Sequence, residues 1–528
     1  MKLTGGRSVS GLAVLLVAMQ GAAQVPTPPA PAASQTPPAT AGAQSGQGRP
    51  QMAAVGVPVA GMPFVHDPST VVRFHGKYYV YATGRGIPFS SSPDGETWTR
   101  EGQVFDKIPD DVHAAVPKND GAGVWAPDIV RVGDQFFLYY AVSFWGSFQS
   151  AVAVMSNPVL DPKDPAYKWT DGGVVASSDG VEDLNAIDPG VIHAPDGTLW
   201  LCYGSYHGTI DLVQLDPKTG QRISPKSPVT IIASRSEGSD LIFHDGYYYL
   251  FVNHDSCCKG KQSEYNIRVG RAATITGPYV DKHGELLIKG AGSLFLAAHD
   301  HRIGPGHFGR VLDYDASPDG SEGGPERFSV HYEADMTRGG RSVLDIRPLL
   351  WSVDGWPMAG DNLAEGTYQI VSRQSETTLE ESAPVVAPFR NANPGDPPHP
   401  AASPATGTDS APARPAGMNP QPLHLGRYLT LDNQKWTIAP VAGGLYKIVN
   451  AGSGDAIGTP AGTDNAAIGI APYTGADGQL WRLEQFPDGG YRIRNKATGM
   501  SLTATGAGGV AASDFVKDDV HLWTIATP

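Results

Sequence analysis

Cysteine is nearly absent from this chain: three residues in 528, Cys202, Cys257 and Cys258. An odd count with one adjacent pair is not a disulfide framework. Cys202 falls in the strand-like run Leu199-Trp-Leu-Cys-Tyr and reads as a buried apolar thiol. Cys257 and Cys258 can be a vicinal disulfide or two free thiols, and no cysteine spacing suggests zinc. Basic residues are also few, 39 Lys and Arg against 53 Asp and Glu, for a net charge of −14. That balance argues against nucleic acid and anionic membranes as partners and suits a neutral one. No apolar run approaches the ~20 residues that span a bilayer. The longest, Gly11 to Met19, follows Lys2 and Arg7 and precedes Gly21-Ala-Ala-Gln, the pattern of an export signal over residues 1–24. A secreted or periplasmic monomer is expected. Residues 25–58, rich in Pro, Ala, Gln and Gly, read as a flexible tether.

Turn formers, in contrast, are abundant: 64 Gly and 45 Pro. They punctuate a repeat. Asp67 to Tyr81, Ala126 to Tyr140, Asp188 to Tyr203 and Asp240 to Phe251 each read as acidic turn, apolar strand, Gly turn, aromatic strand. Asp67, Asp128, Asp188 and Asp240 fall 61, 60 and 52 residues apart. A regular period of this size with a hairpin in every copy is the mark of a β-propeller. A fifth, irregular blade is assigned to Gly304–Tyr314, Glu326–Glu333 and the return strand Arg341–Leu349. The expectation is an all-β chain with a five-bladed propeller over residues 59–362. Blades converge on a central channel, where acidic groups from different blades can meet.

A second repeat follows over residues 363–528. Gly366-Thr-Tyr, Gly444-Leu-Tyr and Gly490-Tyr begin three units, which end at Trp436, Trp481 and Trp523. Tyr to Trp spans 35 and 32 residues in the second and third units but 68 in the first. The excess, residues 388–422, is Pro/Ala-rich and reads as a disordered insertion. Three Trp-closed units suggest a β-trefoil. The Gln434-Lys-Trp and Gln479-Leu-Trp triplets resemble the signature of ricin-B type lectins, with His521-Leu-Trp nearly matching. Lectin units of that family place an Asp after a Leu. Here the stretches read Thr378-Leu-Glu, Ala456-Ile-Gly and Ser501-Leu-Thr, so a spacer or packing role stands beside sugar binding.

Cleaving a glycosidic bond needs one carboxylic acid to protonate the leaving oxygen and a second carboxylate on the opposite face. Where the second activates water, the two stand about 6.5–9.5 Å apart, a span that suits two blades across a channel. A third carboxylate nearby raises the acid's pKa by repulsion. Asp67, Asp188 and Glu237 are the candidates. Alone, Asp-Pro is a common turn starter and Glu237 a surface charge; their joint placement at blade starts marks them. Asp128, at what reads as the same blade position, is left between a structural and a substrate-positioning role.

From about Pro63 to Trp356 the chain resembles glycoside hydrolase family 43, and within it the endo-1,5-α-L-arabinanases. His66-Asp-Pro-Ser, Val124-Trp-Ala-Pro-Asp-Ile, Asn185-Ala-Ile-Asp-Pro and Ser236-Glu-Gly-Ser-Asp carry the likeness. Cys257-Cys-Lys-Gly, Tyr265-Asn-Ile-Arg, Ile275-Thr-Gly-Pro-Tyr and Gly304-Pro-Gly-His extend it. The resemblance implies an inverting enzyme that cleaves arabinan or a related plant cell-wall polysaccharide. Asp67 would be the general base, Glu237 the general acid, and Asp188 the group that tunes Glu237. It further implies that His307 coordinates a calcium or sodium ion on the propeller axis, partly through waters, although Phe308-Gly309 replace the Asn-Ser that commonly follows. Trp125, Phe144, Trp145, Phe148 and His254 are candidate sugar contacts at strand ends. Alternative readings are an exo-acting α-L-arabinofuranosidase or β-xylosidase on the same site, and a non-catalytic carbohydrate-binding protein.

Overall fold

A computed structural model of the chain describes residues 58–60, 63–224, 227–320, 325–382, 423–441, 445–459, 468–486 and 488–528. The expected export signal, the tether up to residue 57 and the Pro-rich insertion lie outside them. Among the described residues the one α-helix is Asp110–Ala115, and no helix is long and apolar enough to cross a membrane.

Five four-stranded antiparallel blades form the propeller. Their first strands are Val71–Phe74, Val124–Val132, Gly190–His193, Glu237–His244 and Arg302–Asp313. The ring closes where blade five meets blade one. Their first strands pair in parallel, Val311 with Val71 and Asp313 with Arg73. The chain entering blade one also accepts bonds from blade five, Leu344 N–H to Pro63 O and Ser342 Oγ to Val65 O.

Alternation along the strands builds the layers between blades. In Gln149–Asn157, Ala151, Ala153 and Met155 face the core shared with Tyr81 and Phe89 of blade one, while Val152 and Val154 face Val191 and Leu201 of blade three. Period-two alternation buries both faces of the strand, and each fully buried Val contributes about 1.5–3 kcal/mol.

Each first strand enters the channel through one residue with left-handed backbone. These residues are Asp67 (φ 46°), Ala126 (41°), Asp188 (55°), Gly238 (55°) and His307 (50°). In blades two, four and five a β-bulge brackets that residue, between Trp125 and Asp128, Glu237 and Asp240, and Gly306 and Gly309. A bulge with left-handed backbone re-aims the adjoining side chains. The repeat therefore runs through 67, 126, 188, 238 and 307, and corrects the register read from the acidic residues. Asp128 and Asp240 stand two residues beyond the position that Asp67 and Asp188 occupy.

Twelve strands between Gly366 and Ala526 form the β-trefoil. Trp436, Trp481 and Trp523 are fully buried at its centre, and their indole N–H groups donate to Leu379, Ile457 and Leu502 carbonyls at 2.9, 2.9 and 2.8 Å. Gln434 and Gln479 are equally buried and accept the N–H of Leu429 and Thr474. In the third unit His521 takes that place, with Nδ1 2.6 Å from Asp518. The signature residues are thus core residues.

Candidate active site

The five left-handed residues bring Asp67, Asp188, Glu237 and His307 to the channel. Asp67 is gripped from several sides. Its Oδ1 lies 2.9 Å from His307 Nδ1 and its Oδ2 2.8 Å from His66 Nδ1, and Thr83 Oγ1 donates to Oδ2 at 2.6 Å. Burial alone would raise its pKa, but His66 and His307 hold the carboxyl well below the usual range. Its two imidazole neighbours thus favour the ionised form of Asp67.

Glu237 is the opposite case. Burial, then the charge of Asp188, push its carboxyl up to about 8, against the Tyr265 hydroxyl that donates to Oε1 at 2.8 Å. Asp188 is buried and shifted upward as well, with His307 working against the shift. Its Oδ2 accepts the Gly238 N–H at 3.2 Å, which couples it to the backbone beside Glu237. Gly238 is needed there. A Cβ would stand 2.7 Å from Asn253 Nδ2 and 3.2 Å from His307 Cε1, on a backbone with φ 55°. One channel thus holds an ionised carboxylate and a protonated carboxylic acid at neutral pH. That is the division of labour acid–base catalysis requires.

His307 Nε2 lies 3.9 Å from Asp188 Oδ2, so the imidazole faces two carboxylates. Burial opposes its charge, yet Asp67 and Asp188 raise it to about 9. Hard cations take six to eight oxygens, and one imidazole does not make such a site. Ser236 Oγ, Ser239 Oγ and Asn253 Oδ1, on the adjoining fourth blade, are buried without hydrogen-bond partners. Unpartnered buried oxygens suit ordered water, so the donor set fits a water-bearing ion held by His307. A proton on His307 meets the same demand for positive charge.

The remaining expected contacts separate. Asp128 is structural: Oδ1 accepts the Thr70 N–H of blade one and Oδ2 the Val191 N–H of blade three, both at 2.9 Å. Its oxygens stitch three blades together, which favours the structural alternative. Phe144 is a packing residue, set against the core of the first two blades. Trp125 is half-buried, and His254 is buried, its imidazole lowered to about 4 by burial and then Arg268. Phe148 stays exposed and stacks on His207 at 3.6 Å, with Trp145 exposed nearby in sequence.

Several residues of the site escaped sequence reasoning. His331 Nδ1 accepts the Asp67 N–H at 3.2 Å, and its Nε2 lies 3.7 Å from Glu333 Oε1. Glu333 also faces His66 Nε2 at 3.3 Å. The signal was present: His331 and Glu333 stand two apart on one strand and so share a face. Tyr206 was missed too; its hydroxyl donates to the Asn253 and Asp255 carbonyls, bridging the end of the fourth blade's second strand.

The family model described as Glycosyl hydrolases family 43 matches residues 58–357, the propeller up to its last strand. The chain belongs to glycosyl hydrolase family 43. It is a glycoside hydrolase. A second model, Ricin-type beta-trefoil lectin domain-like, matches residues 432–523. The chain is similar to the extracellular exo-α-(1→5)-L-arabinofuranosidase ArbA of Cellvibrio japonicus, 33% identical over 313 residues, 56% of this chain and 86% of that protein. It is equally similar to the extracellular endo-α-(1→5)-L-arabinanase 1 of Bacillus subtilis, 33% over 303 residues, 56% of this chain and 87% of that protein. Among solved structures, Cellvibrio cellulosa α-L-arabinanase complexed with arabinohexaose superposes with a TM-score of 0.52 at 30% identity. The match covers 56% of this chain and 96% of that one.

Proposed function

We propose that this glycosyl hydrolase family 43 enzyme cleaves internal α-1,5-L-arabinofuranosyl linkages of arabinan with inversion. The observation that carries the reading is the opposed pair in the channel, Glu237 held protonated and Asp67 held ionised. Asp67 takes a proton from the attacking water as it adds to the anomeric carbon. Glu237 delivers its proton to the departing sugar oxygen. Asp188 keeps Glu237 protonated through its charge and fixes the strand by accepting the Gly238 N–H. An ion carried through waters by His307 would add positive charge facing Asp67 and Asp188. The relatives named extracellular support export of this chain, which fractionation of the producing cells tests.

Linear, debranched α-1,5-arabinan is the test substrate. A spread of oligosaccharides with an early drop in viscosity is the expected result, with the initial product of inverted anomeric configuration by NMR. Arabinose or one short oligosaccharide alone from the start would assign exo action, which the Cellvibrio japonicus relative's name makes the second reading. No product would overturn the substrate assignment.

A further inference from the structure

Beside the channel, His66 and Glu333 stand next to a cysteine pair that the hydrolytic reading leaves unused. Cys257 and Cys258 are joined as a vicinal disulfide, and Cys258 is exposed, with left-handed backbone (φ 65°). One ligand atom each from Cys258, His66 and Glu333 lie within 4.8 Å of one another. Glu333 is 5% exposed, and its Oε1 has no hydrogen-bond partner although His66 Nε2 stands 3.3 Å away. A charge-assisted hydrogen bond would draw such a pair to about 2.7–2.9 Å. The spacing also fits two ligands sharing a tetrahedral cation, whose bonds of about 2.0–2.2 Å set an N···O edge of roughly 3.4 Å. His66 Nδ1 meanwhile faces Asp67 Oδ2 at 2.8 Å. A carboxylate on one ring nitrogen and a metal on the other is the usual surrounding of a ligating histidine.

We propose that reduction of the Cys257–Cys258 disulfide opens a site for one zinc-class divalent cation, ligated by the Cys258 thiolate, His66 Nε2 and Glu333 Oε1. A dithiol supplies two electrons, breaks the S–S bond and leaves as a cyclic disulfide, giving two cysteine thiols. On binding, Cys258 Sγ and His66 Nε2 each release a proton to solvent, while His66 Nδ1 keeps its proton and shares it with Asp67 Oδ2. Water takes the fourth position. While the disulfide persists, its sulfurs carry no charge, and the thiolate is the form that binds metal. The soft sulfur separates this place from the oxygen-rich surroundings of His307. A cation here sits beside the Asp67 carboxylate and makes hydrolysis zinc-sensitive after reduction. That consequence rests on the role proposed for Asp67; the site itself does not.

Cobalt(II) is the probe, on the full chain under anaerobic conditions. Cys257→Ser cannot form the disulfide and keeps the Cys258 thiol, so it should bind one equivalent without reductant. Binding is read as thiolate-to-cobalt charge transfer with tetrahedral visible bands, bleached by one equivalent of zinc. Reduced, desalted wild type should match it. Oxidised wild type and Cys258→Ser should lack the bands, although the buried Cys202 is present in all of them. Adding Glu333→Gln to Cys257→Ser should weaken cobalt binding about tenfold or more, with near-ultraviolet circular dichroism confirming the fold. Charge-transfer bands in reduced Cys258→Ser, or none in folded Cys257→Ser, would overturn the proposal.

Discussion

In the trefoil the three tryptophans at the centre bury completely, and every indole N–H meets a carbonyl. At the centre of the propeller stand Asp67, Asp188, Glu237 and His307, and the fourth blade carries the buried side-chain oxygens of Ser236, Ser239 and Asn253 without hydrogen-bond partners. The backbones differ in the same sense. Among the described residues, the trefoil's non-glycine left-handed positions are Glu376 and Thr430, both exposed. In the propeller, Asp67, Ala126 and Asp188 hold such backbone while buried. Strain and desolvated charge persist only where surrounding structure fixes them, and such places cluster at functional sites. The same β-strand chemistry therefore serves two ends. One domain fills its interior with apolar side chains and paired indole N–H groups, and the other gathers charged groups in a central channel.

The largest effect expected on this comparison comes from Asp67→Asn. It removes the base and should lower turnover on arabinan by about 10²–10⁴-fold, measured as kcat at matched substrate, with the fold retained by circular dichroism. Trp436→Ala is its counterpart in the trefoil. It should lower stability by about 3–5 kcal/mol, seen in denaturant unfolding, while kcat at 25 °C holds; a collapse of kcat would end the separation of roles.

A pH series is the next test. Glu237 must be protonated to act, so kcat/KM should fall about tenfold per unit above the value near 8 to which its carboxyl is raised. The acid side should persist well below the usual carboxylate range, because Asp67 stays ionised there. The same raised pKa has a stability consequence. A carboxyl whose folded pKa exceeds its unfolded value favours folding at low pH and loses that contribution as pH rises through the folded value. Glu237→Gln should therefore melt higher than wild type above pH 8. The smallest effect belongs to Asp128→Asn, which weakens the stitching of blades one and three. It should cost about 1–3 kcal/mol of stability with KM unchanged; a raised KM would return Asp128 to the substrate.

Much of this was legible in the chain. The Gly-turn hairpins specify blades, and the Trp-closed units specify the trefoil, because both are local patterns with a fixed period. The register of the repeat was not. Acidic residues draw the eye to Asp128 and Asp240, whereas the structural constant is the left-handed residue, which the chain fills with Asp, Ala, Asp, Gly and His in turn. Backbone handedness leaves no single residue type as its trace. Asp67, Asp188 and Glu237 stood out in the sequence because they sit at or beside that position. His331 and Glu333 did not: their spacing puts them on one face, but the partners that give that face its meaning, Asp67 and His66, are more than 260 residues away. Phe144 packs against the core of the first two blades, because an aromatic beside a strand end is as apt to pack as to bind.

The most direct test of the central claim is Glu237→Gln assayed for both turnover and binding of a linear α-1,5-arabino-oligosaccharide. The account predicts that hydrolysis falls by about 10²–10⁴-fold while calorimetry still detects the oligosaccharide bound. Turnover equal to wild type would contradict it, because another group would then have to protonate the departing sugar.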